Sequence, residues 1–129
     1  MVSRTTQVSQ QEVLLEVVDS PKTIKRVLRP PQGGRAYGKV YTRPDMPHVA
    51  AMAARLSPTP PEHVYCLWVG SQGQMHLAGV LTVNEQGFGL LVFDADRNGP
   101  EYDVVQLTLQ PTGSTSPTSP PVLLWKVAP

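Results

Sequence analysis

The sequence predicts an all-β fold, an antiparallel β-sandwich of about seven to eight short strands behind a short N-terminal helix. Three observations carry that expectation. Fourteen prolines and ten glycines in 129 residues would break helices throughout, yet they fall between short runs rich in Val, Leu, Thr, Tyr and Trp. Turn signals recur roughly every ten residues, the spacing of a sandwich or barrel. The run "VYCLWV" is apolar at every position, as expected of a central strand covered on both faces.

The first element is the one helical signal, "VSQQEVLLEVVDSP". Ser9 followed three residues later by Glu12 makes a capping box, and Val8 can pack on Val13 as a hydrophobic staple. Val13, Leu14, Val17 and Val18 then share a face, and Pro21 helps stop the helix. A helix this short needs something to pack on. Residues 1–21 therefore read as an N-terminal segment that carries this helix, and 22–129 as the β domain.

Strands are expected over 23–28, 35–41, 48–55, 63–69, 75–83, 88–93, 102–110 and 122–127. In the fourth, Tyr65, Leu67 and Val69 point one way and Cys66 and Trp68 the other, which places it at the centre of the core. "VNEQGFG" reads as a hairpin turn in which Gly87 takes a positive φ and joins residues 81–83 to 90–92. In the last strand Val122, Leu124 and Lys126 alternate with Leu123, Trp125 and Val127.

Bulk properties narrow the function. The formal net charge is +1, too small for electrostatic capture of nucleic acid, so no nucleic-acid partner is expected. Seven of the eleven basic residues fall between Lys22 and Arg43, a cluster that reads as a solvated face. The single cysteine, Cys66, excludes an intrachain disulfide and a Cys-rich zinc site. No apolar run approaches a membrane span of roughly 18 residues, and Met1 is not followed by a signal-peptide core.

Catalytic patterns are missing from the sequence. His48, His63 and His76 sit on or beside separate strands without close carboxylate spacing, and no nucleophile elbow, metalloprotease motif or phosphate loop occurs. The chain reads as a non-enzyme without a cofactor. "DADRNG" matches the first half of a calcium loop, with Asp94, Asp96 and Asn98 at alternating positions. Its second half fails, because Val105 stands where a bidentate Glu is needed. These three residues are a weak calcium candidate, and a solvated turn is the better reading.

Four stretches, in order, carry a resemblance. They are "GRAYGKVYTRPDMPHVAAMAARLSPTPPEHVYCLWV", "AGVLTVNEQGFGLLVF", "VVQLTLQPTG" and "STSPTSPPVLL", covering roughly residues 22–127. Their glycine-led strand, Pro-Asp turn, proline-rich link, Tyr-x-Leu-Trp strand, Gly-turned hairpin and closing apolar strand resemble the extracytoplasmic C-terminal domain of the anti-sigma-K factor family. The positions that carry the likeness are Tyr65, Leu67, Trp68, Gly79, Gly87, Thr108, Pro111, Gly113, Pro117, Thr118 and Pro120. Three positions depart from it: Gln110 where the family usually has Glu, Cys66 where Gln is common, and a Ser for Gly in Pro-Thr-Gly-Pro. In the family the Pro/Thr/Ser stretch joins two strands, so residues 111–121 are expected to be a crossing connection and not a tail.

The resemblance implies a sensory or interaction module on the outer side of a bacterial membrane. Its single-pass parent would hold an extracytoplasmic-function sigma factor inactive through a separate cytoplasmic domain, under control of regulated proteolysis. It places this chain just after the membrane helix, with residues 9–18 as connector. An extracytoplasmic protease or another protein is then the expected contact, and the oligomeric state stays open. The rival reading is a secreted β-sandwich that binds carbohydrate or an adhesion partner; a membrane span or a secretion signal upstream of Met1 would separate the two.

Overall fold

The computed structural model describes residues 22–43, 47–71, 73–94 and 102–127. Eight strands follow in order: β1 (Ile24–Leu28), β2 (Tyr37–Thr42), β3 (His48–Ala54), β4 (His63–Ser71), β5 (Gln74–Leu81), β6 (Gly89–Asp94), β7 (Val104–Pro111) and β8 (Pro121–Lys126). All eight expected strands are present, most within two residues of the expected bounds. The expected N-terminal helix lies outside the described residues.

The strands form two antiparallel four-stranded sheets, β1-β2-β3-β6 and β5-β4-β7-β8. Period-two alternation sends Leu28, Val40, Val49, Ala51 and Ala53 of the first sheet inward to meet Tyr65, Leu67, Val69, Val105, Leu107 and Leu123 of the second. Small residues on β3 let the sheets approach closely. Their outer edges are also stitched together. Arg29 and Leu124 exchange two backbone hydrogen bonds of 2.9 Å between the β1 and β8 edges, and Val83 bridges Gly89 on the opposite side. Such stitching shields sheet edges that would otherwise invite pairing with another chain.

Two expected connections come out differently. Residues 81–83 and 90–92 do not form a hairpin ladder, because β5 and β6 belong to different sheets and share only the Val83–Gly89 bridge. The turn itself forms as expected, with Gly87 at φ +80°. Asn84 organises it by accepting from the backbone N–H groups of Gln86 and Phe88 at 3.0 Å. A Cβ on Gly87 would sit 2.5 Å from the Leu56 carbonyl oxygen, and Leu56 N–H donates to the Gly87 carbonyl. The turn is therefore pressed against the end of β3, which carries the chain from one sheet to the other. In the second case residues 111–121 join β7 and β8, which are neighbours in one sheet. That stretch is a long hairpin loop, not a crossing connection.

Candidate functional site

Strand β4 runs between β5 and β7, and this position brings most of the singled-out residues together. Leu67 lies opposite Gly79 on β5 and opposite Leu107 on β7, while Cys66 lies opposite Thr108. The inward face carries Tyr65 and Leu67. Tyr65 is buried and its hydroxyl donates to the Ser57 carbonyl at 2.7 Å; burial pushes its pKa upward. Gly79 makes room for Leu91, whose Cδ2 would lie 2.9 Å from a Cβ there. A larger residue would push β6 away from β5.

The outward face of this sheet is unusual. Cys66 and Trp68 point away from the inter-sheet core yet are only 2% and 1% exposed. The indole Nε1 donates to Thr108 Oγ1 at 2.8 Å, and the Thr108 hydroxyl donates to Gln110 Oε1 at 2.5 Å. Gln110 Nε2 then donates to the Ser116 carbonyl at 2.9 Å. Thr108 and Gln110 are both fully buried. This relay fixes the Pro/Thr/Ser loop to the sheet, and every buried side-chain polar atom among the described residues has a partner.

The loop is held at its start as well. Thr112 N–H donates to the Glu62 carbonyl and Ser114 N–H to that of Pro111, with Gly113 at φ +89° between them. Pro117 is half-buried, whereas Thr118 and Pro120 are exposed. The loop is thus fastened at its opening motif and again at Ser116.

The sequence pointed to Trp68 and Thr108 but not to the relay that joins them. Its one signal was the alternation of the polar residues Gln106, Thr108 and Gln110 along β7. Their amide-to-hydroxyl contact follows from period-two alternation; the Ser116 contact depends on how the loop folds back.

The relay predicts a specific pH response. In Gln110→Glu the group facing the Ser116 carbonyl loses its donor when ionised, and burial also disfavours the charge. Both effects raise the folded-state pKa above the unfolded value of about 4.3. The substitution is then mild at pH 4, where both states are largely protonated. Its cost grows as pH rises and levels off above the folded pKa, reaching about 3 kcal/mol for a shift of two units. Denaturation of both proteins at pH 4 and pH 7 measures this; a penalty that is the same at both pH values rules out a buried carboxyl at this position.

Other candidate chemistry is dispersed. Cys66 is buried and its thiol is pushed up in pKa by that burial, which disfavours the nucleophilic thiolate. His48 sits on β3 in the first sheet, and His63 and His76 sit on the separate strands β4 and β5 of the second. Among the described residues, no group of three His, Cys, Asp or Glu side chains is placed to hold a metal. Asp94 ends β6, is exposed, and has Oδ1 2.6 Å from His48 Nδ1. Asp96 and Asn98 lie outside the described residues. With one carboxylate already engaged, calorimetric titration is expected to show no micromolar calcium binding. Tight binding abolished by Asp94→Ala would establish a site there.

Comparison with known proteins locates the chain. A family model described as anti-sigma-K factor rskA, C-terminal, matches residues 2–122. A Streptomyces griseus protein named "Uncharacterized protein in phr 5'region" is 30% identical over 120 residues, covering 89% of this chain and 47% of that protein. The chain thus spans about half the length of this relative. No solved structure matches.

Proposed function

The chain belongs to the anti-sigma-K factor C-terminal domain family, and from that premise we propose that it is the extracytoplasmic sensory or interaction module of a membrane-anchored anti-sigma factor. In this reading a separate part of the parent protein holds an extracytoplasmic-function sigma factor. The module itself performs no catalysis. It receives an extracytoplasmic input, and regulated proteolysis of the parent then frees the sigma factor.

The observation that carries the reading is the family match across residues 2–122. The fold is compatible with it. Two stitched sheets with a fastened loop make a rigid body that can present surfaces to a protein partner or restrict a protease. Among the described residues no helix is long and apolar enough to cross a membrane, so in this reading the anchor is another segment of the parent.

The test is deletion of residues 22–127 from the full-length parent. The truncated parent should still co-purify with its sigma factor, while transcription from that sigma factor's promoters no longer follows the inducing condition. Loss of sigma-factor binding on deletion would place the inhibitory contact in this domain and overturn the reading. A protease added to intact spheroplasts should digest the domain; protection from it would put the domain on the cytoplasmic side.

A further inference from the structure

Half of the prolines in this chain, seven of fourteen, fall in two short stretches, residues 57–61 and 111–121. The same stretches hold eight Ser and Thr residues. Sheet pairing brings them together. The first stretch leads into β4 and the second leaves β7, and these strands are neighbours, with His63 opposite Pro111 and the Thr112 N–H donating to the Glu62 carbonyl. One pole of the domain therefore carries both.

Both stretches are held through backbone carbonyls. The Tyr65 hydroxyl donates to the Ser57 carbonyl at 2.7 Å, the His63 N–H to that of Pro60 at 3.3 Å, and Gln110 Nε2 to that of Ser116 at 2.9 Å. The first stretch is bracketed by Arg55 and Glu62, at φ +59° and +60°, a left-handed conformation that non-glycine residues keep only where the surrounding structure demands it. The hydroxyls take little part in this. Ser114 Oγ donates to the Pro111 carbonyl. Among the described residues, however, the side chains of Ser57, Thr59, Thr112, Ser116 and Thr118 form no hydrogen bond, and all five residues are exposed. A proline stands next to each of them. Its ring biases the residue before it toward extended backbone and offers no N–H to a strand partner. These hydroxyls thus stand on fixed, unpaired chain and hold nothing in place.

We propose that this pole is a site of O-glycosylation, with Thr59 and Thr118 as the principal acceptors. Thr59 lies between Pro58 and Pro60, and Thr118 between Pro117 and Ser119-Pro120. Ser/Thr-rich chain interspersed with proline is the composition that carries O-linked sugars, and here it is confined to one end of a folded domain. The donor is a sugar activated as the glycosyl ester of a lipid phosphate, the form in which a carrier can present it at a membrane. In the transfer the bond from the anomeric carbon to the phosphate oxygen breaks, a bond from that carbon to Oγ1 forms, and the hydroxyl proton ends on the released lipid phosphate. Sugars at this pole would cover the junctions of β3 with β4 and of β7 with β8, and leave the rest of the surface to a protease or partner. A donor presented on the outer side of the membrane makes the proposal rest on the extracytoplasmic reading above.

The test is mass spectrometry of the full-length parent isolated from the membranes of its own organism. Peptides that contain Thr59 and Thr118 should carry sugar increments, whereas the peptide with Thr82, exposed but without a neighbouring proline, should not. In a Thr59→Ala/Thr118→Ala variant those increments should be lost while the thermal melt stays that of the unaltered protein. If the variant does not accumulate, fragmentation of the unaltered peptides assigns the modified oxygens directly. Unmodified peptides at both positions, a phosphate increment in place of sugar, or equal modification of Thr82 would each overturn the proposal. Protease treatment of spheroplasts separates this failure from that of the underlying reading. A domain that is digested yet carries no sugar sinks the glycosylation alone, and one that is protected and unmodified sinks both.

Discussion

A chain ending at Gln110 is expected to lose its cooperative unfolding transition. The removed residues include β8, whose Leu123 is fully buried in the core and whose Val122 and Trp125 pack against it. Burial of three such side chains is worth on the order of 5 to 8 kcal/mol, comparable with the whole stability of a small domain. Two further losses follow from the structure. The backbone bonds between Arg29 and Leu124 disappear, which opens the seam between the sheets. Trp125 no longer lies over Arg26, whose guanidinium is held below its ordinary pKa by burial. Arg26 is half-buried, so what is lost with the ring is the cation–π contact. Circular dichroism of the truncated chain should show no sigmoidal melt, and gel filtration an expanded or aggregated species. A melt like that of the full chain would mean that the final strand is dispensable to the fold.

Shortening the loop ahead of β8 is a milder perturbation. Closure entropy alone makes the loss of two or three residues inexpensive, but the Gln110–Ser116 bond means that the position of the deletion matters as much as its length. Removing residues beyond Ser116 keeps the fastening; removing Ser116 leaves the buried Gln110 amide without its acceptor, at about 1 to 3 kcal/mol.

The strands were legible because each carries its own evidence. Alternating side chains and flanking Gly or Pro mark a strand locally, and the eight runs in this sequence are cleanly separated. Sheet membership has no such local signature. Residues 81–83 and 90–92 flank a good Asn-and-Gly turn, and a hairpin was the natural expectation. What prevents it is the packing of Gly87 against Leu56, a contact between residues 31 positions apart, and the demand of β6 for a place beside β3. Long-range contacts of this kind leave no trace in a window of ten residues. Charge behaved differently again. The run of seven cations was visible at once, whereas which of its residues share a sheet face follows only when the two strands are laid in register. Of the family-motif residues, Tyr65, Leu67, Trp68 and Thr108 are buried, Gly79 and Gly87 permit close approaches, and Thr118 and Pro120 are exposed.

Trp68→Ala is expected to cost about 3 to 5 kcal/mol, the range for deleting a large buried aromatic. The residue is 1% exposed although it lies on the outward face of its sheet, so its burial depends on neighbours around and above it and not on the inter-sheet core. Truncation removes the indole volume and leaves Thr108 Oγ1 without the donor it accepts from. Thr108 still donates to Gln110, so its hydroxyl is not orphaned, and the packing loss dominates. Trp68→Phe separates the two contributions. It keeps most of the ring and removes the N–H, so it should cost about 1 kcal/mol for the hydrogen bond plus a modest packing defect. Urea unfolding followed by circular dichroism measures both variants without relying on tryptophan emission, which Trp125 would confuse. If Trp68→Ala loses less than about 1 kcal/mol, the indole is not held in a closed site, and the outward face of the second sheet becomes an open aromatic surface available to a ligand.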